Sequence, residues 1–136
     1  MTQPPTMLVQ RFYVPFLLPG LNDMLAGARQ SKGKWQAFAV KKVQVERDLV
    51  LLVKRAKLKP VKGPVWLRFT WHEANKKRDL DNVAAAKKFV NDSLVTAGIL
   101  KGDGWAHVHG FTDEFVIDRA YPGVEVVVEE ITTKER

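Results

Sequence analysis

Between Ala37 and Leu58 the chain carries neither proline nor glycine, and Lys and Arg alternate with apolar residues. Val40, Val43, Val50, Leu51 and Val53 recur at roughly helical spacing. The segment therefore predicts one long basic amphipathic helix, and the rest of the fold must be built around it. Lys59-Pro60-Val61-Lys62-Gly63-Pro64 breaks the chain after it. On the far side, Val65–Trp71 alternates as a strand, with Val65, Leu67, Phe69 and Trp71 on one face. A first strand is expected over Met7–Phe16, a loop over Asn22–Lys34, and a helix from Val83 to Thr96 that stops at Ala97-Gly98. Strands are expected over Trp105–Phe111 and Gly123–Ile131, with a short extended piece at Phe115–Arg119. The string lacks regular βαβ alternation. It predicts an α+β fold in which a mixed β-sheet packs with two main helices.

At 136 residues, one domain spanning the whole chain is expected. There is no cysteine, which excludes disulfides, thiol catalysis and cysteine-ligated metals. No apolar run is long enough to span a bilayer, and Met1–Met7 has no basic region leading into an apolar one. A cytoplasmic location without membrane contact is the expectation.

The net charge of +7 is unevenly placed. Arg29–Lys101 holds 18 basic and 6 acidic residues, whereas Gly102–Arg136 holds 3 basic and 8 acidic. A basic middle of this kind suits a polyanion, because Lys and Arg gain by displacing counterions from nucleic acid. Candidate phosphate contacts are Lys76, Lys77 and Arg78 in one turn, Lys87 on the following helix, and Arg29, Lys32 and Lys34 in the expected loop. A solvated, charged surface is the plainer alternative.

Asp79 and Asp81 carry the strongest chemical signal. They stand at i and i+2 on a segment expected to be still extended, so both carboxylates can face one side. Two hard oxygen donors suit Mg²⁺ or Mn²⁺, and Asp103 in a later loop is a third candidate. Three carboxylates beside a basic surface point to metal-assisted phosphodiester cleavage. Helix capping is the competing explanation for one of the aspartates, though not for all three. Lys88 lies seven residues past Asp81, two turns along the same face of an unbroken helix, with Asp92 four residues further on. His72, His107 and His109 have no zinc-ligand spacing. Trp35, Trp66, Trp71 and Trp105 are expected in the core or an interface; Trp35, in the basic loop, is the one that could stack on a base, with core packing the plainer reading.

The ordered set Lys77-Arg78-Asp79-Leu80-Asp81-Asn82, then Lys88, Asp92 and Leu94, then Ala97-Gly98-Ile99-Leu100 and Asp103, resembles the RusA family of Holliday junction resolvases. The likeness is close over about Lys77–Val108 and loose toward both ends, where Pro19-Gly20, Asn22 and Pro122-Gly123-Val124-Glu125-Val126 take part. It implies a small homodimeric endonuclease, common in prophages and phages, working in the cytoplasm of a bacterial or phage-infected cell. Such enzymes bind four-way DNA junctions in recombination and repair. They nick two strands symmetrically with Mg²⁺ and leave 5′-phosphate and 3′-hydroxyl ends. The metal ligands would be Asp79, Asp81 and Asp103, and the catalytic lysine Lys88, with Lys87 as the other candidate. A flap or branched-DNA nuclease, or a binder that kept the fold without the chemistry, shares the same features. Two departures stand out. Gly102 occupies the first place of the family's paired aspartates, and the helix is about three residues longer than in some members, which puts Ala85 where a lysine can stand.

Overall fold

A computed structural model describes residues 6–29 and 32–131, with side chains described for 8–26 and 38–131. The elements run β1 (Thr6–Val14), α1 (Leu21–Arg29), α2 (Lys32–Arg55), β2 (Val65–Glu73), α3 (Leu80–Ala84), α4 (Lys87–Thr96), β3 (Val108–Ile117) and β4 (Gly123–Ile131). The fold is α+β: a four-stranded mixed sheet with helices. Strand order is β1-β4-β2-β3. β4 is antiparallel to both β1 and β2, and β3 runs parallel to β2 along the edge. A parallel neighbour needs a crossover, and α3 and α4 supply it.

β2 alternates buried and half-buried from end to end, as its sequence predicts. Val65, Leu67, Phe69 and Trp71 meet Leu49 and Val53 of α2 and Val83, Phe89, Val90 and Leu94 of α3 and α4 in one core. Burying each such side chain contributes roughly 1.5–3 kcal/mol, which makes this face the main source of stability. α2 is the long helix expected from the proline- and glycine-free stretch, beginning five residues earlier than Ala37. Gly98, at φ +83°, stops α4 as anticipated.

Three expectations are corrected. The Asn22–Lys34 loop is instead α1 and the start of α2. Its Asn, Asp and Gly are poor helix formers, but tertiary ties offset this. The Gly20 N–H donates to Asp23 Oδ2 at 2.9 Å, and the Asn22 N–H donates to Asn82 Oδ1 at 2.8 Å. Second, the Val83–Thr96 helix is broken into α3 and α4. The Ala86 N–H bonds to Val83 O at 3.1 Å and the Phe89 N–H to Ala86 O at 3.0 Å, a tight 3₁₀-type joint without proline or glycine to announce it. Lys88 is thereby taken off the regular two-turn alignment with Asp81. Third, β3 is one strand running from Val108 through Ile117, not two pieces, and Trp105 lies in the turn before it.

Candidate active site

The site begins with a consequence of strand periodicity. After Trp71, the next residue on the buried face of β2 is Glu73, a carboxylate only 9 % exposed. Arg78 answers it from the following turn. Its Nε donates to Glu73 Oε1 at 3.0 Å and its Nη2 to Oε2 at 2.8 Å. Nη1 donates to the Leu18 carbonyl at 2.9 Å. The guanidinium expected on DNA is thus held inside the protein, and it fixes the turn that delivers Asp79.

Asp79 takes the N-cap position of α3, yet its side chain makes no capping hydrogen bond. Asp81 lies in the first turn of α3, also exposed. Neither carboxylate has a hydrogen-bond or ion-pair partner among the described residues. Asn82, next in the chain, is buried and spends its amide oxygen on the Asn22 N–H. Gly20 is required beside it, since a Cβ there would lie 2.5 Å from Asn82 Oδ1. Lys76 and Lys77 are exposed, with no ion pair among the described residues. A cavity of about 320 Å³ opens at this turn, lined by Asn75, Lys76, Asp79, Leu80 and Phe115 among others.

Asp103 stands apart from this pair. It lines a larger cavity of about 880 Å³ between α2 and α4, together with Arg47, Leu51, Lys54 and Asp92, and neither Asp79 nor Asp81 takes part in that lining. Its Oδ2 accepts from Lys88 Nζ at 3.4 Å, and Asp92 Oδ1 takes the same ammonium at 3.1 Å. The hydrogen bond and charge of Asp92, followed by those of Asp103, raise the Lys88 pKa above its ordinary value. No group of three His, Asp or Glu side chains able to hold a metal ion occurs among the described residues. Asp79 and Asp81 have the donor chemistry for a hard cation, but the expected set of three with Asp103 is not assembled.

The two lysines on α4 separate cleanly. Lys87 is only 13 % exposed, pairs with Asp113 Oδ2 at 2.7 Å, and lies 3.8 Å from the centre of the Phe111 ring. Asp113 Oδ1 accepts from Trp71 Nε1 at 2.9 Å. Lys87 is therefore a mostly buried, paired cation rather than an open phosphate ligand, while Lys88, 68 % exposed, holds its ammonium at the surface between Asp92 and Asp103. Sequence reasoning missed Asp113, which fell between the two extended pieces expected at Trp105–Phe111 and Phe115–Arg119 and lies instead within β3. The expected contacts of Arg29, Lys32, Lys34 and Trp35 fall on side chains outside the described residues.

Beside Glu73 at the C-terminal end of β2, His72 Nδ1 lies 3.1 Å from Asp118 Oδ2, and Tyr13 sits edge-on to the imidazole. The Tyr121 N–H, then the His72 contact, hold the Asp118 carboxyl below its usual range. Burial, with the charges of Asp118 and Glu125, pushes the Tyr13 phenol up, and its hydroxyl donates to the Tyr121 carbonyl. Of the two places expected for Trp105, the core is excluded, since the side chain is 97 % exposed, whereas Trp71 is 2 % exposed.

No helix among the described residues is long and apolar enough to cross a membrane. No family model matches the chain, and no curated protein is detectably similar to it.

Proposed function

We propose that this chain is a structure-specific endodeoxyribonuclease that hydrolyses phosphodiesters in branched DNA, four-way junctions above all, as a homodimer dependent on Mg²⁺ or Mn²⁺ in the cytoplasm. One observation carries the reading. Two exposed carboxylates, Asp79 and Asp81, stand two residues apart without partners, on a turn braced by Arg78 and Glu73 and flanked by two free lysines. Acidic residues at a helix start favour the helix dipole, but two unpartnered carboxylates beside two unpaired lysines also meet what a phosphodiester-cleaving site requires. Sequence order adds the resemblance to the RusA family over Lys77–Val108.

The chemistry requires a water oxygen to attack phosphorus while the bond to the 3′ oxygen breaks, leaving a 5′-phosphate and a 3′-hydroxyl. A divalent cation, when bound, supplies charge neutralisation and a more acidic water. Lys76 and Lys77 would hold the flanking strand by its phosphates, which positions without reading sequence. Lys88 stays an ammonium at neutral pH and offers charge rather than a base.

A second reading is favoured by the separation of Asp103 from the pair: a protein that binds branched DNA without cutting it. The test is nicking of a synthetic four-way junction in Mg²⁺ or Mn²⁺, beside matched duplex and flap substrates, with Asp81→Asn as control. Paired symmetric nicks that disappear in the variant support the resolvase. Tight junction binding without nicks supports the binder, and preferred flap cleavage moves the substrate to other branched DNA.

A further inference from the structure

Trp105 is almost fully solvent-exposed, at 97 %. Tryptophan carries the largest side chain available for burial, and other exposed large apolar residues here keep part of their surface covered. The indole is nevertheless held on a firm support. The Gly104 carbonyl accepts the His107 N–H at 3.0 Å and the Val108 N–H at 2.9 Å, and His107 O accepts the Val65 N–H at 2.9 Å. The turn is thereby tied into the start of β2 and β3, and Trp105 projects from its outer side.

Its chain neighbours select the partner. Lys101, Gly102, Asp103, Gly104 and His107 surround it in sequence, with no second large apolar residue in the turn. A protein interface would be expected to gather several apolar residues at its centre. A fully exposed indole flanked in sequence by polar residues and Lys101 has the composition of a stacking platform for a nucleobase. Intact duplex shows no open base face, whereas a branch point or a single strand does.

We infer that Trp105 stacks on an unpaired or unstacked nucleobase at the branch point and so discriminates branched from duplex DNA. The inference rests on the DNA reading above and adds to it a residue two positions beyond Asp103 that selects the substrate.

The test is fluorescence anisotropy in Ca²⁺ with a labelled four-way junction, its matched duplex and a single strand, using the full chain, Trp105→Ala and Trp105→Phe. The alanine variant is expected to weaken junction and single-strand binding by about tenfold while leaving duplex binding unchanged, and phenylalanine to restore most of the loss. Because the side chain touches almost nothing, the unfolding midpoint stays the same in both variants. Equal junction affinity in Trp105→Ala and the unaltered chain overturns the stacking role and leaves the DNA reading intact. Failure of the unaltered chain to bind any of the three DNAs overturns both. Sedimentation equilibrium supplies a last check: a dimer that dissociates in Trp105→Ala makes the indole an interface residue and overturns the inference.

Discussion

Arg78 grips Glu73 through two parallel hydrogen bonds, of 3.0 and 2.8 Å, one residue before the first of the two free aspartates. The pair is mostly buried, with side chains 24 % and 11 % exposed. Removing the guanidinium strands a carboxylate on the core face of β2 and frees the Leu18 carbonyl. Arg78→Ala is expected to cost about 3 kcal/mol, the range for breaking a buried ion pair from one side. Arg78→Lys recovers only part, because an ammonium cannot span both carboxylate oxygens and the carbonyl together. Urea unfolding of the two variants measures this. A loss below about 0.5 kcal/mol for the alanine variant would mean that the pair does not brace the turn.

Asp79 and Asp81 predict the opposite stability behaviour. If Asp79 capped α3, its replacement by Ala would cost about 1 kcal/mol. Since it makes no capping bond, Asp79→Ala and Asp81→Asn are expected to leave stability within about 0.5 kcal/mol of the parent while abolishing nicking. Thermal unfolding and the junction assay, run on the same preparations, separate the two effects. A cost of a full capping bond with nicking retained would return Asp79 to an ordinary helix-start role.

The difference between these two sites marks how far the sequence could be read. Strand periodicity in Val65–Trp71 is a local property, so the core face was legible, and its extension to Glu73 follows from the same alternation. The aspartates were legible as a candidate site because two carboxylates two residues apart suit a hard cation, but the extended segment expected for both is corrected: only Asp79 is extended, and Asp81 lies in the first turn of α3. What was hidden depended on contacts distant in the chain. Nothing near Asn22 announces that Asn82 will accept its N–H, so α1 reads as a loop. Nothing near Lys87 tells it apart from Lys88 until Asp113 is seen 26 residues away in sequence. The joint at Ala85-Ala86 is likewise invisible, since alanine is the best of helix formers and the buried Ala86 makes the break a packing choice.

Lys88 gives a pH prediction. Its pKa is raised above 10.5, first by the hydrogen bond and charge of Asp92 and then by Asp103. A raised lysine pKa means the pairing stabilises the fold fully below 10.5 and is lost as pH rises through the folded value. Lys88→Met should therefore be slightly less stable than the parent at pH 7–9, with the gap closing as pH rises through the raised lysine pKa, and small throughout because the side chain is 68 % exposed. Asp92→Asn should move the Lys88 titration downward, readable from the lysine ¹³Cε shift. An unmoved titration would show that the Asp92 contact does not hold in solution.

Gly102 and His107 form a matched pair. A Cβ placed on Gly102 would lie 2.8 Å from His107 Cδ2 and 3.3 Å from Nε2, so the imidazole occupies the space a side chain would need. Gly102→Asp alone is expected to push His107 aside and cost roughly 1–3 kcal/mol, as overpacking does. The strain falls on the turn whose His107 carbonyl accepts the Val65 N–H at 2.9 Å. Combining Gly102→Asp with His107→Ser removes the clash, so the double variant should be more stable than Gly102→Asp by at least about 1 kcal/mol. The four-variant thermodynamic cycle measures that coupling. Additive losses would show that the ring moves without cost and that Gly102 is not fixed by His107.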